Sequence, residues 1–181
     1  MPESDGMAGR IGRFDELKSW TVQTNDALPQ EARDLIYARR LVTVAAPAGV
    51  QGPFRNPAVI TVDNFSLTFA VCPPGQGPGL HTHLRTTETF TCVRGRFRVY
   101  WGENGEHETM LDELDTVSVP PGITRGFQNV GEADGILQVL ITGGVHDMDD
   151  IAIPPSVVQA LKAFGPEVFE EVVKTGVHFE P

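Results

Sequence analysis

Apolar and polar residues alternate through the middle of this chain with the period of two that marks strands. The clearest run is Phe65-Ser66-Leu67-Thr68-Phe69-Ala70-Val71-Cys72, which places Phe65, Leu67, Phe69 and Val71 on one face of a half-buried antiparallel strand. Leu41 to Ala46 reads as an earlier strand closed by Pro47-Ala48-Gly49, followed by a loop over Gln51 to Pro57. Ala58 to Val62 precedes Asp63-Asn64, a two-residue connection that predicts a hairpin with the Phe65 run. Further strands are predicted over Glu88 to Val93, Phe97 to Trp101, Asp115 to Pro120 and Thr124 to Val130, with a more polar one over His107 to Glu113. Ile136 to Ile141 is apolar on both faces, as a central strand is. Arg94-Gly95, Glu103-Asn104-Gly105-Glu106 and Pro121-Gly122 punctuate the series. Short strands at intervals of about eight to twelve residues, with turn signals between, predict an all-β sandwich or barrel.

The two ends break this period. Residues 1–27 show no sustained pattern and read as an arm, with Trp20 and Val22 placed to pin its end, and Pro29 to Arg40 has short-helix composition with Ala32, Leu35 and Ile36 on one stripe. Beyond Gly143-Gly144, Ser156 is predicted to cap a helix carrying Val157, Val158, Leu161 and Phe164, stopped at Gly165-Pro166. Val168, Phe169, Val172 and Val173 form a second stripe before Gly176. The expected organisation is an arm and short helix over 1–40, a barrel over 41–145 and a C-terminal helical appendage over 146–181. The appendage would cover the barrel wall, a dimer seam or, as a lid, a ligand.

The candidate chemistry lies in Gly75 to Gly95, GQGPGLHTHLRTTETFTCVRG. His81 and His83, two apart on a strand, point to one face, while Glu88, Phe90 and Cys92 share a face of the next strand. If both faces turn inward, two imidazoles and a carboxylate converge, a donor set suited to Fe, Mn, Ni, Cu or Zn with coordination positions left open. The preceding loop, Pro73 to Gly79, is a rigid turn with no helix N-terminus to cradle a phosphate.

At Gly75, His81, His83, Glu88 and Gly95 the chain resembles the cupin family, whose first motif has this spacing. The resemblance, over roughly Phe65 to Gly143, implies an antiparallel double-stranded β-helix, a jelly-roll barrel, with one metal centre. A second family motif resembles Pro120 to Asn129, but Arg125 stands where the fourth metal ligand is expected. A guanidinium offers no lone pair and stays protonated, so His81, His83 and Glu88 are the metal ligands the resemblance implies. His146 is a candidate replacement ligand, against which stands a solvated loop position beside Asp147 and Asp149.

A divalent ion about 5 Å from Arg125 would be repelled by roughly 6–7 kcal/mol at an effective dielectric of about 20. A weakly held metal is one expectation. An Arg125 that anchors a substrate carboxylate or enolate is another, with an Arg125 turned away toward an acidic neighbour as the alternative. The resemblance implies an enzyme on a small oxygen-rich or acidic organic molecule, with a quercetinase-like dioxygenase placed first. A redox-inert isomerase or lyase on an acidic sugar, and a non-catalytic binding cupin, stay open. Family habit implies a homodimer.

Composition narrows the partners. The 181 residues carry a formal charge of −10, with basic residues clustered only at Arg39-Arg40 and Arg94, Arg96, Arg98, which argues against nucleic acid. Tyr100 is expected to alternate outward, and His107, among glutamates, to lie on the surface. No run of eighteen apolar residues occurs, and the first residues lack the apolar stretch of a secretory signal, so neither membrane nor export is expected and a cytoplasmic location is the default. Cys72 and Cys92 fall in apolar runs and are expected to be reduced core thiols.

Overall fold

A computed structural model describes residues 7, 9–20, 25–50, 57–144 and 148–179. Two six-stranded sheets face each other. The first is ordered β2 (Val59–Thr61), β1 (Arg40–Pro47), β3 (Phe65–Cys72), β10 (Gly135–Thr142), β5 (Thr87–Arg94), β8 (Thr116–Val119). The second is ordered β12 (His178–Phe179), β11 (Ile151–Ile153), β4 (His81–His83), β9 (Thr124–Asn129), β6 (Phe97–Trp101), β7 (His107–Leu111). This is the all-β sandwich or barrel expected from the strand spacing, in the jelly-roll arrangement that the family resemblance implies. Helices α1 (Gln30–Asp34), α2 (Pro155–Lys162) and α3 (Pro166–Val173) are peripheral to it.

The core is built where the sheets meet. Phe127 of β9 takes Phe90 of β5 edge-on at 5.2 Å and Phe97 of β6 at 6.2 Å, so one aromatic cluster ties the two sheets together. Each of these rings is buried, and each contributes about 1.5–3 kcal/mol by leaving water. Cys72 and Cys92 are buried free thiols, and burial pushes the Cys72 thiol up to about 12.

Several expectations are corrected. Asp63-Asn64 does not close a hairpin: β2 runs parallel to β1, with Ala45 opposite Val59, and β3 is paired along its length with β1 on one side and β10 on the other. With both edges of β3 taken, β2 must join the far side of β1. The alternation of β3 is present but its sides are reversed in depth. Ser66, Thr68, Ala70 and Cys72 are the fully buried residues, and Phe65, Leu67, Phe69 and Val71 form a partly buried outer face. Phe14 of the N-terminal segment packs edge-on against Phe69 there, 5.8 Å away, and Arg40 lies over Phe14.

The segment from 146 onward is more than a helical appendage, because β11 pairs antiparallel with β4 and β12 parallel with β11, extending the second sheet. A three-residue strand beside proline-rich sequence gives too short a pattern for period-two reading to find. Ser156 is not an N-cap: Pro155 takes the first helical position, where its missing N–H is no loss, and the helix starts two residues earlier than predicted.

Helix α1 stops at Asp34, well short of Arg40, because the chain beyond it is held by the loop that leads to the histidines. Gly79 N donates to Leu35 O at 2.9 Å, and Gln76 bonds both Tyr37 O and Arg39 N through its side chain. The arm is pinned by Trp20, whose backbone N–H donates to Leu41 O and whose indole donates to Thr43 Oγ1. Val22 and most of the predicted loop 51–57 lie outside the described residues.

Gly77 is where the loop 73–79 approaches β9 most closely. A Cβ there would lie 2.1 Å from Phe127 O, a contact that only backbone movement relieves. Gly77→Ala is therefore expected to destabilise by about 1–3 kcal/mol and lower the thermal midpoint by roughly 2–12 °C. An unchanged midpoint in a melting scan would show that the loop yields freely.

Candidate metal centre

The first motif lies on β4 and β5, which belong to opposite sheets. His81 and His83 are buried on β4, and Glu88 is buried on β5 beside Phe90 and Cys92, so both predicted inward faces do turn inward. His81 Nε2 lies 3.7 Å from Glu88 Oε2, and His83 Nε2 lies 3.5 Å from Glu88 Oε1. One ligand atom from each of the three residues falls within 4.8 Å of the others.

The other ring nitrogens fix the tautomers. His81 Nδ1 is 2.9 Å from Gly79 O, a carbonyl that can only accept, so Nδ1 carries a proton and Nε2 is the nitrogen turned toward Glu88. His83 Nδ1 is 3.0 Å from Asp150 Oδ2, with the same consequence. A ligand histidine whose far nitrogen donates to a carbonyl or carboxylate is the usual arrangement around a bound metal, so the donor set suits a divalent ion. The three residues that would hold it are the three the first motif predicts.

Asp150 was not legible as part of the site. It ends an acidic loop, and only the pairing of β11 with β4 carries it beneath His83. There its Oδ1 accepts from Arg85 N at 2.7 Å and its Oδ2 also accepts from the Thr86 hydroxyl. The signal that could have found it is the Ile151-Ala152-Ile153 run directly after it. His146 lies outside the described residues.

Arg125 points into the barrel. It stands directly across from His81 in the β4–β9 ladder, is 0% exposed, and its Nε donates to Glu88 Oε2 at 2.9 Å. Nη1 donates to Ile123 O at 3.2 Å, and Nη2 is a buried nitrogen without a hydrogen-bond partner. The acidic neighbour of Arg125 is thus Glu88 itself, and the pairing is inside the centre rather than away from it.

The rest of the second motif is structural. Gly122, with φ +79°, donates its N–H to His83 O at 2.8 Å and fastens this turn to the histidine strand. Buried Asn129 donates to Cys72 O and Ala133 O and accepts from Gly131 N.

Electrostatics follow from burial and these contacts. Burial disfavours ionisation of Glu88, but Arg125 and the two imidazoles outweigh it and hold the carboxyl well below the usual range. His83 is lowered from 6.5, burial prevailing over Glu88 and Asp150, which favour its charged form. Asp150 is lowered from 3.8: burial opposes this, and the bonds from His83, Thr86 and Arg85 N–H prevail.

The unfolded chain therefore takes up protons at His83 as pH falls through 6.5, and at Asp150 below that, while the folded chain resists both. Stability is expected to be full above pH 6.5 and to decline as pH falls, the loss deepening toward and below 3.8. Urea midpoints between pH 7.5 and 5 check this, and a midpoint that rises on acidification would contradict the neutral, buried His83.

His81, His83 and Glu88 line a cavity of about 620 Å³, its mouth included. The wall is otherwise largely apolar, with Leu41, Phe127, Val139, Ile141 and Ile153 among its residues. Trp20, Ile36 and Tyr37 join it from the N-terminal side and Met148 and Val177 from the C-terminal side. Arg125 does not line it. Tyr100, on the outer side of β6, is not in the cavity either, and His107 is exposed.

A two-sheet β-barrel with two histidines and a glutamate converging at its interior defines the class of protein. Residues 68–141 match the family model for the cupin domain. No curated protein matches the chain significantly. Among solved structures, a double-stranded β-helix domain protein from Klebsiella pneumoniae subsp. pneumoniae is 23% identical over 48% of this chain and 73% of that one, with a TM-score of 0.43. KdgF from Halomonas sp. is 19% identical over 49% of this chain and 76% of its own, with a TM-score of 0.44. A predicted oxalate decarboxylase from Thermotoga maritima is 22% identical over 43% and 65%, with a TM-score of 0.40. One barrel hosts many chemistries, so the reading of function rests on the site. Among the described residues no helix is long and apolar enough to cross a membrane.

Proposed function

We propose that this protein is a metal-dependent enzyme acting on a small organic molecule with an apolar body and an acidic oxygen, as a quercetinase-like dioxygenase does. The observation that carries this reading is the convergence of His81 Nε2, His83 Nε2 and a Glu88 oxygen at the inner wall of an apolar cavity. A divalent metal held there would supply Lewis acidity and, if Fe, Mn, Ni or Cu, access to dioxygen at its open positions.

The chain's own residues have separable tasks. His81 and His83 present lone pairs already oriented by Gly79 O and Asp150. Phe127, Val139, Ile141 and Ile153 keep water from the reacting region and favour an aromatic or aliphatic body over a sugar. The buried charges also favour an acidic group. Among the buried groups Glu88 and Asp150 against Arg125 leave one negative charge, with the half-exposed Arg85 beside Asp150 at 3.6 Å; a divalent ion reverses the buried balance to one positive, and a monoanion brings it to neutrality. Arg125 acts on that anion through its charge, its fork being engaged with Glu88 and Ile123.

The Arg125–Glu88 pair favours one second reading, a small-molecule-binding cupin without turnover, because it leaves the metal-free site with its glutamate already compensated. Protein reconstituted with Fe(II), Mn, Ni, Cu or Zn and offered a panel of flavonols and aromatic carboxylic acids separates the two. Dioxygen uptake that depends on the metal and is lost in His83→Ala is the expected result. Ligand binding without uptake under every metal would replace the dioxygenase with the binding module, and turnover with zinc but no uptake would replace it with an isomerase or lyase.

A further inference from the structure

Four observations converge on Arg125. It occupies the ladder position directly opposite His81, is 0% exposed, shares Glu88 Oε2 with the imidazole of His81, and keeps one buried nitrogen without a partner. A guanidinium so placed is a cation inside the centre that cannot lose its charge. It does for Glu88 electrically what a metal would do, and it repels a metal that arrives.

We propose that Arg125 is a resident counter-cation that makes occupancy of the His81, His83 and Glu88 centre by a divalent metal conditional on a monoanionic co-ligand. The inference rests on the proposed metal-binding reading and adds an order to it: metal alone binds poorly, and metal and anion each raise the other's affinity, as linkage requires. The anion supplies the negative charge that the metal and Arg125 together demand, and the apolar wall selects one with a hydrocarbon body. Arg125 is here a positioning and gating residue, with no contact to reacting atoms.

Calorimetric titration of the whole chain with Co(II), with and without saturating benzoate, tests this. Wild type is expected to bind Co(II) weakly alone and at least about tenfold more tightly with benzoate, a factor within the usual range of coupling between two sites. Arg125→Met is expected to bind Co(II) tightly without benzoate and to respond little to it. Arg125→Lys, which keeps the charge, is expected to follow wild type. Arg125→His replaces the repelling cation with a further imidazole and guards against a Met variant that fails to fold; it too is expected to bind tightly alone.

Equal Co(II) affinity with and without benzoate in wild type overturns the proposal, as does a wild-type affinity matching that of Arg125→Met or Arg125→His. Those results leave the metal centre itself intact. Absence of Co(II) binding in wild type and in Arg125→His, with benzoate present, overturns the centre and this inference together.

Discussion

Glu88→Ala is expected to lower stability by about 3–5 kcal/mol, because it strands the Arg125 guanidinium in the barrel with no partner charge. For a chain of this size that corresponds to a fall in thermal midpoint of roughly 6–20 °C. The same change removes one of the three proposed ligands, so metal binding is expected to vanish with it. The two effects separate in the double variant Glu88→Leu with Arg125→Met. Replacing a buried ion pair by apolar groups of similar volume is close to neutral, so most of the lost stability is expected to return while metal binding stays absent. Melting scans and metal titrations on the same preparations read both. A single Glu88→Ala variant that melts within about 2 °C of wild type would mean that Arg125 finds other partners and that the 2.9 Å contact contributes little.

The second large effect is expected at Asp150, which does not itself line the cavity. Its two oxygens accept from three donors, the His83 ring, the Thr86 hydroxyl and Arg85 N–H. Asp150→Asn places an NH2 against at least one of those donors and frees the His83 ring to turn. Metal affinity is expected to fall about 10–100-fold, the usual consequence of losing a partner that orients a ligand histidine. Thr86→Val, which removes one donor and leaves the carboxylate, is expected to have the smaller effect. Titration of the three proteins with one metal decides it, and an Asp150→Asn affinity equal to wild type would show that the tautomer of His83 is set by other contacts.

Local patterns carried much of the fold. The strands around Phe65, Glu88, Phe97, Thr124 and Ile136 are all present, because each is a period-two run long enough to read and bounded by Gly or Pro. Partner choice was not carried in the same way. A two-residue connection favours a hairpin locally, but the β1 and β10 ladders on both sides of β3 outweigh it and send β2 to the far edge of β1. The inward side of β3 was likewise hidden. Hydrophobic patterning assigns Phe65, Leu67, Phe69 and Val71 to the core, whereas the barrel turns Ser66 and Thr68 inward and covers the apolar side in part with Phe14.

By itself, then, the chain of residues put His81 and His83 on one strand face and Glu88 close by on the next strand, the candidate donor set for a metal. It also determined that Arg125 cannot be a fourth ligand, a matter of lone pairs and not of position. Only the tertiary structure decided that Arg125 is bonded to Glu88 and that Asp150 supports His83. Those pairs lie 37 and 67 residues apart; the first is made across the barrel between β9 and β5 of opposite sheets and the second where β11 settles beside β4, and no local pattern specifies either.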